Sequence, residues 1–488
     1  VSFDKELSEN NIVTIQPDSL RILHNPLTGW VLYASMGVDA ADFWAQYDHM
    51  YIPELGHNVS VTDYAHTLYI RASWTDFNPQ EDVYGWKIDS NLRAYIEGAY
   101  QRNMRLAFRV VVDSRDKRTE FTPQFVKDAG AKGFMNKGKW SPYSDDPVFQ
   151  KYYTKFVKAL AKDFNDPSKV EFIDGFGLGK WGEYHTMIYS TGDDTPKKAV
   201  FNWVTDIYSQ AFDKVPVVIN YHRWIGAGKD WVDDEHFAAD SEEMLEEAIK
   251  KGYSLRHDAF GMTTYYGSWE RRFAEKYRNI CPIIMEGGWI VKSHNYWQDP
   301  RGYRKDSHED VRRGEFDDSK EAHVNMMDFR FGDTKSWFKD AFDLVRRFLR
   351  EGGYRLYPSE ISLPLEVSKK TPPTIKHCWN NLGWGYCPTN IPQWNQKYKV
   401  AFALLDSETN EVRYTFVDTD TDLSKWIKGS PAEYVFEPDM SKVETGTYVW
   451  AVGLVDRSNK DLVGLDIAAK GDILDSGWLK LSKVSIKK

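Results

Sequence analysis

The sequence predicts an α/β protein built as a (β/α)8 TIM barrel with a C-terminal antiparallel β-sandwich domain. The chain has 488 residues, which is more than one hydrophobic core usually organises. From about residue 28 to 350, short apolar runs rich in β-branched residues alternate with segments of helical periodicity. Beyond that point only short strand-like runs occur, separated by Pro, Gly, Asn and Asp.

Eight apolar runs predict the eight strands of the barrel. Amphipathic segments between them, such as SNLRAYIEGAYQRN, repeat apolar residues at intervals of three and four, as helices that cover a sheet do. Eight strands that alternate with helices predict a closed parallel barrel. The runs are TGWVLYAS at 28–35, HTLYIRASW at 66–74, RLAFRVVVD at 105–113, VEFIDGFGLGKWGE at 170–183, VPVVINYH at 215–222, LRHDAFGM at 255–262, CPIIMEGG at 281–288 and HVNMMDFRFG at 323–332.

The second domain is predicted from strands without intervening helices. The runs that support it are ISLPLEVSKK, YKVAFALLD, EVRYTFVD, AEYVFEP, GTYVWAVGLVD and WLKLSKVSI. Short strands at regular spacing with turn residues between them are typical of a β-sandwich. We therefore expect residues 1–357 to form a catalytic barrel and residues 358–488 to form a β-sandwich accessory domain.

Composition excludes several classes of function. The formal net charge of −9 argues against a surface that follows nucleic-acid phosphates, and no apolar run is long enough to span a bilayer. We expect no metal and no cofactor, because the sequence has no ligand cluster at metal spacing, no phosphate-binding glycine loop and no Gly-x-Ser-x-Gly motif. Aromatic residues make up 15% of the chain, and their flat faces suit sugar rings as well as protein cores.

Two glutamates occupy the positions where a barrel enzyme places its chemistry. Active sites of these barrels lie at the carboxyl ends of the strands. Glu183 follows the fourth run, and Glu286 ends the seventh after the apolar residues PIIM. Cleavage of a glycosidic bond needs one carboxylic acid to protonate the leaving oxygen and one carboxylate to attack or to activate water. The pair therefore predicts a glycoside hydrolase.

The layout of these residues resembles clan A glycoside hydrolases, which are barrels with the acid/base after strand 4 and the nucleophile at the end of strand 7. NPLTGW at 25–30 and ASWTDFNPQEDVYGWKIDSNL at 72–92 are similar to the first two βα units of that clan. The resemblance implies a retaining, double-displacement enzyme acting on a poly- or oligosaccharide, with Glu183 as general acid/base and Glu286 as nucleophile. It also implies that Arg71 contacts Glu286 and lowers its pKa, and that Tyr265 or Tyr266 supports the same carboxylate.

The chain departs from the clan at Gly182, where those enzymes typically carry an Asn that binds the sugar 2-hydroxyl. Asn220, His222 and His185 are candidates to replace it. Further candidates for substrate contact are Trp289 and Trp181 as sugar platforms, and Arg109 on strand 3. The polar segment 289–322 is expected to form a wall of the cleft. Arg71, Arg109, Arg223 and Arg256 leave open a uronic acid as substrate.

The C-terminal segments CWNNLGWGYCP and GTYVWAVGLVD add a second resemblance, to an uncharacterised bacterial barrel-plus-β-sandwich family of proposed glycosidases. The sequence begins at Val1 without Met or an apolar leader, from which we expect a secreted, periplasmic or cell-surface location. Cys378 and Cys387 are close enough in sequence to close a small loop, whereas Cys281 lies in an apolar run.

Two alternatives remain open at this stage. The missing Asn and the many aromatic residues also fit a non-catalytic glycan-binding protein on a barrel scaffold. The sandwich is expected to support the barrel structurally, with a carbohydrate-binding module as the alternative.

Overall fold

The computed structural model describes residues 10–229, 232–262, 265–288 and 308–488. Contacts between residues divide the chain into two units. One unit is Gly29–Phe348, and the other combines the residues before Gly29 with Leu349–Lys488.

The first unit is a closed barrel of eight parallel strands, as the sequence predicts. Around the barrel the strands follow the order β2, β5, β6, β9, β10, β11, β12 and β13, and β13 pairs with β2 to close it. Most residues of these strands are buried, because each strand faces the barrel interior on one side and helices on the other. The strands up to the end of the barrel are β1 Asn10–Thr14, β2 Gly29–Tyr33, β3 Met50–Ile52, β4 His57–Val59, β5 Ala65–Ser73, β6 Arg105–Val111, β7 Gly133–Asn136, β8 Lys139–Pro142, β9 Val170–Asp174, β10 Val217–Asn220, β11 Ser254–Phe260, β12 Ile283–Gly287 and β13 Met326–Asp328.

Several helices begin at a residue whose side chain caps the first turn. Asp146 accepts a hydrogen bond from the amide of Phe149 at the start of α6, where Pro147 occupies the first helical position. Asp89 caps α4 in the same way through the amide of Leu92. The helices are α1 Ala40–Asp48, α2 Trp74–Phe77, α3 Gly85–Ile88, α4 Ser90–Gln101, α5 Gln124–Asp128, α6 Pro147–Phe164, α7 Lys197–Ala211, α8 Glu235–Lys250, α9 Ser268–Tyr277, α10 His308–Glu321, α11 Thr334–Asp340 and α12 Phe342–Glu351.

The second unit contains two β-sheets, of four and six strands. The sheets contact each other through aromatic side chains: the ring centroids of His377 and Phe402, one from each sheet, lie 5.2 Å apart. The four-stranded sheet has the order β1, β14, β16, β19, and the other has the order β15, β22, β20, β17, β18 with β21 beside β20. The strands of this unit after the barrel are β14 Leu356–Pro364, β15 Glu366–Ser368, β16 Ile375–Asn381, β17 Tyr398–Asp406, β18 Val412–Asp418, β19 Ala432–Phe436, β20 Gly446–Asp456, β21 Leu462–Leu465 and β22 Leu479–Lys487.

The division into units differs from the division at residue 357 expected from the sequence. Strand β1 pairs antiparallel with β14, so that Val13 lies opposite Ile361. The amino-terminal strand therefore belongs to the sheet of the second unit, although it precedes the barrel in sequence.

Three further features bear on the expectations above. Cys281, Cys378 and Cys387 are buried free thiols. Within the described ranges, no helix has both the length and the apolar character needed to cross a membrane. Part of the segment expected to form a polar cleft wall is the helix α10.

Candidate active site

A cavity of about 530 Å³ lies at the carboxyl ends of the barrel strands. Its walls come from strand ends and from the loops that follow them, which is where enzymes of this fold carry their active sites. Both predicted catalytic carboxylates, Glu183 and Glu286, line it. The other lining residues that the argument below uses are Tyr33, Met36, Arg71, Lys117, Phe121, Trp181, Asp258, Met262, Tyr265, Arg330 and Phe331.

Glu183 lies in a tightly wound loop after β9. The backbone of this loop is left-handed at Gly179, Trp181, Gly182 and Tyr184, with φ between 60° and 76°. Such angles are uncommon for residues other than glycine, and they persist only where the surrounding structure fixes them. The turn places Glu183 against the cavity with only 7% of its surface exposed.

His222, at the end of the strand next to β9, holds the backbone of Glu183 in place. Its Nδ1 accepts a hydrogen bond from the amide of Trp224 at 3.1 Å, so the proton of the neutral ring is on Nε2. Nε2 donates to the carbonyl oxygen of Glu183 at 2.7 Å. Burial and the neighbouring His185 hold the pKa of His222 well below its usual range, which keeps this tautomer neutral. His185 also approaches the carboxylate of Glu183, with 3.6 Å between Nε2 and Oε2.

The geometry at Gly182, where the clan usually carries Asn, favours a residue without a side chain. Residue 182 has φ +73°, and a Cβ atom placed there would lie 3.3 Å from a methyl carbon of Val111 and 3.4 Å from Cδ of Arg109. A side chain at this position would be strained by its backbone angle and crowded by both neighbours. These constraints favour glycine at this position of the loop.

Glu286 is the last residue but one of strand β12 and is held by arginines from two other strands. Nη2 of Arg256 on β11 donates to Oε2 of Glu286 at 2.8 Å. Nη2 of Arg109 on β6 lies 3.7 Å from the same oxygen. Both guanidinium groups are fully buried, so their attraction to the carboxylate is only weakly screened by solvent.

These residues belong to a charge cluster across the barrel interior, which we define as Arg109, Asp174, Arg256, Asp258, Glu286 and Asp328. Arg109 binds both oxygens of Asp258, at 2.8 and 2.9 Å, and its Nε lies 3.0 Å from Asp174. The guanidinium of Arg256 stacks over the ring of Tyr69 at 4.3 Å. The cluster contains four carboxyl groups and two guanidinium groups, so its composition favours retention of protons.

The proton affinities of the carboxyl groups follow from this imbalance. Burial, followed by the charge of Asp258, raises the pKa of Glu286 well above its usual range, although Arg256 and Arg109 act in the opposite direction. Burial would also raise the pKa of Asp258, but Arg109 and Arg256 hold it well below its usual range. Burial raises the pKa of Asp328 to about 7.

The contact expected between Arg71 and Glu286 is made by Arg256 instead. Arg71 donates to the phenol oxygen of Tyr33 at 3.3 Å and to the carbonyl oxygen of Trp181 at 3.0 Å. The expected lowering of the Glu286 pKa is also wrong, because burial and a neighbouring carboxylate outweigh the arginines. Arg71 nevertheless lines the cavity.

The structure separates the candidate substrate-binding residues into two groups. Arg71, Trp181 and Tyr265 line the cavity. Four others lie behind it and bind protein groups: Asn220 donates to Asp258 at 3.0 Å, Arg109 belongs to the charge cluster, and His222 and His185 contact Glu183. Of the two tyrosines, Tyr266 forms a hydrogen bond with the buried hydroxyl of Tyr221 at 2.7 Å. Trp289 lies outside the described residues.

Several lining residues, among them Asp258, Lys117 and Tyr33, were not singled out as site residues from the sequence. Asp258 pairs with Arg256 at 3.4 Å, and its carboxylate also reaches the cavity. Its position near the carboxyl end of a barrel strand was a usable signal. Lys117 and Tyr33 gave no comparable signal, because Lys117 lies in a polar loop and Tyr33 in an apolar strand. In the described ranges, no group of three or more His, Cys, Asp or Glu side chains is arranged to hold a metal ion.

No family model matches the chain, and no curated protein does. Solved structures do show similarity. Endo-glycoceramidase II from Rhodococcus sp. is 12% identical with a TM-score of 0.39, and the alignment covers 87% of this chain and 99% of that one. A GH30 endoxylanase from Clostridium papyrosolvens C71 is 8% identical with a TM-score of 0.37, covering 88% and 97%. The endoglucanase Cel5A of Pseudomonas stutzeri is 9% identical with a TM-score of 0.39, covering 66% and 94%. All three carry names of glycoside hydrolases.

Proposed function

We propose that the protein is a retaining glycoside hydrolase that acts on a poly- or oligosaccharide. The observation that carries this proposal is that Glu183 and Glu286, from barrel strands that are not neighbours, line one cavity while both are largely buried. Glu183 is held through its backbone by His222, and Glu286 is held through its carboxylate by Arg256. Two carboxyl groups fixed in different ways suit two different catalytic tasks.

In the first step, a carboxylate oxygen of Glu286 attacks the anomeric carbon while Glu183 donates its proton to the glycosidic oxygen. The bond between that carbon and the leaving oxygen breaks, and a glycosyl ester of Glu286 forms. Arg256 stabilises the Glu286 carboxylate before the attack, because its guanidinium donates directly to one of the carboxylate oxygens.

In the second step, Glu183 removes a proton from a water molecule whose oxygen attacks the same carbon. The ester bond breaks, Glu286 returns to the carboxylate form and Glu183 regains its proton. Each step inverts the anomeric centre, so the product retains the configuration of the substrate.

Replacing each glutamate with alanine separates the two roles. Glu286→Ala should lose hydrolysis of every glycoside, and azide should restore turnover to a glycosyl azide of inverted configuration. Glu183→Ala should still cleave aryl glycosides with good leaving groups, because these need little protonation, and it should accumulate the ester intermediate. Azide should accelerate breakdown of that intermediate to a product of retained configuration.

Proton NMR of the products on a panel of aryl glycosides and polysaccharides measures the stereochemistry directly. An inverted product from the unmodified protein would contradict the retaining mechanism. Binding of glycans without turnover of any of them would favour the alternative, a non-catalytic glycan-binding protein. For the location, we propose that the protein acts outside the cytoplasm, where polysaccharides are encountered.

A further inference from the structure

Two cationic side chains line the cavity without an ion-pair partner among the described residues. Arg71 donates to the phenol of Tyr33 and to a backbone carbonyl, both of which are uncharged acceptors. The ammonium group of Lys117 lies 5.3 Å from the ring centroid of Phe121. In the part of the chain that the structure describes, neither cation has a carboxylate oxygen within 4.0 Å. The cavity therefore contains positive charge that no described residue neutralises by direct contact.

Other cations around the site do have acidic partners. Arg109 and Arg256 belong to the charge cluster, and Arg330 pairs with Asp333 at 3.2 Å. Lys180, in the loop that carries Glu183, pairs with Asp116 at 3.0 Å. A partly buried charge without a counterion costs free energy, so two cations in one cavity that pair with no described carboxylate call for an explanation.

Arg71 and Lys117 are close enough to influence each other. Burial, followed by the positive charge of Arg71, lowers the pKa of Lys117 to about 8. Two like charges that oppose each other inside one cavity are relieved when an anion binds between or beside them. Arg71 can supply a guanidinium fork, which fits a planar carboxylate, and Lys117 can supply a point charge.

We propose that Arg71 and Lys117 form a subsite for an anionic group on the substrate, either a sugar carboxylate or a sulfate ester. The inference rests on the proposed function, because it assigns a substrate class to the same cavity. Apolar side chains of Met36, Phe121 and Phe331 complete the lining and fit the C–H faces of a sugar ring. The arginines that suggested a uronic acid in the sequence are mostly used inside the protein, and only Arg71 of those four lines the cavity.

Binding of matched sugars to the intact protein tests the subsite independently of turnover. Each pair differs in one group: glucuronate with glucose, galacturonate with galactose, and galactose 6-sulfate with galactose. Titration calorimetry or NMR should show that at least one anionic sugar binds about tenfold or more tightly than its neutral partner, as charge-assisted hydrogen bonds predict. The uronate and sulfate arms show which anionic group the site prefers.

Lys117→Met should reduce that preference strongly, and Arg71→Met should do the same. Lys137→Met is the matched control, since this lysine is 82% exposed and pairs with Asp116 outside the cavity lining. Equal or weaker binding of every anionic sugar relative to its neutral partner would overturn the subsite. An unchanged preference in Lys117→Met would overturn it as well.

The outcomes for the subsite and for the proposed function are distinguishable. A preference for anionic sugars in a protein that hydrolyses no glycoside supports the subsite and contradicts the hydrolase. Hydrolysis of neutral glycosides that depends on Glu286, without any preference for anions, supports the hydrolase and contradicts the subsite.

Discussion

Replacing Asp258 with asparagine should shift the pH dependence of the enzyme towards acid. Asp258 is a negative charge beside Glu286, and it raises the pKa of that carboxylate. The substitution keeps the shape of the side chain while removing the charge. Arg109 would retain its ion pair with Asp174 at 3.0 Å, so its guanidinium would not be left unpaired. An asparagine amide can also donate to Glu286, which favours the ionised form.

The size of the shift follows from distances to one atom. Nη2 of Arg109 lies 2.8 Å from Oδ1 of Asp258 and 3.7 Å from Oε2 of Glu286, so these oxygens are at most about 6.5 Å apart, the sum of the two distances. Even at this largest separation, with an effective dielectric constant of about 20, two unit charges repel by about 2.5 kcal/mol, and they repel more strongly at any shorter distance. Since about 1.4 kcal/mol corresponds to one pKa unit, the Glu286 pKa should fall by roughly two units or more.

The measurement is the pH profile of kcat/KM on any glycoside that the enzyme hydrolyses. The nucleophile must be ionised in the free enzyme, so the acidic limb of the profile reports the pKa of Glu286. We expect this limb to lie at higher pH than for an ordinary glutamate in the unmodified enzyme and to move about two units lower in Asp258→Asn. A limb that stays in place or moves to higher pH would refute the assignment of Glu286 as the ionised nucleophile beside Asp258.

Asp113→Asn provides a matched control for the loss of a buried, arginine-bound carboxylate. Asp113 follows β6, is buried, and binds Arg115 with contacts of 2.6 to 3.0 Å, outside the charge cluster. Its replacement should leave the acidic limb where it is. Thermal unfolding of both variants distinguishes a change in the site from a general loss of stability.

Two further predictions concern the loop that presents Glu183. His222→Phe should lower kcat by roughly ten- to hundredfold, because a misplaced catalytic group costs about that much. His222→Gln should recover part of the loss, because it restores a hydrogen-bond donor. Equal kcat values in the two variants would exclude positioning of Glu183 through this hydrogen bond. Gly182→Ala should lower the free energy of unfolding by more than Gly192→Ala does. Both residues have a positive φ, which costs an alanine about 1–2 kcal/mol in either variant. Only Gly182 has neighbouring atoms within 4 Å that an added methyl group would crowd. Equal losses by urea denaturation would contradict the crowding argument.

The barrel strands were predictable because most of them are short runs dominated by apolar residues. Helix α10 was not, because much of its buried surface is polar. Arg312 binds Glu315 one turn away at 2.7 Å, and both side chains are almost fully buried. Apolar periodicity, the main sequence signal for a helix, is therefore weak in this segment, although the alternation of strands and helices required a helix after the seventh strand.

Three strands of the second unit were missed for a different reason. β1 has only five residues, and its partner β14 follows more than 340 residues later, so nothing in the local sequence indicates the pairing. β16 reads IKHCWNN, and its polar side chains are used internally: His377 approaches Asp418 at 2.9 Å, and Asn381 donates to two backbone carbonyls. β21 has four residues. Pattern analysis detects strands that bury apolar residues and fails for strands whose polar groups are satisfied by distant partners.

At the candidate site, the sequence indicated Glu183 and Glu286 but not that Arg256, rather than Arg71, binds Glu286. The alternation of side chains along the strands explains why Arg256 makes this contact. Residues two apart in a strand point to the same side and lie about 6.6 Å apart along it. Tyr69 packs under the guanidinium of Arg256, so Arg71, two residues later in β5, lies one layer closer to the cavity. Arg256 lies opposite Ile284 in register and reaches from that lower layer to Glu286. The guanidinium that binds Glu286 thus comes from the layer of side chains beneath the cavity. The guanidinium of Arg71 is therefore free of that role and lines the cavity instead.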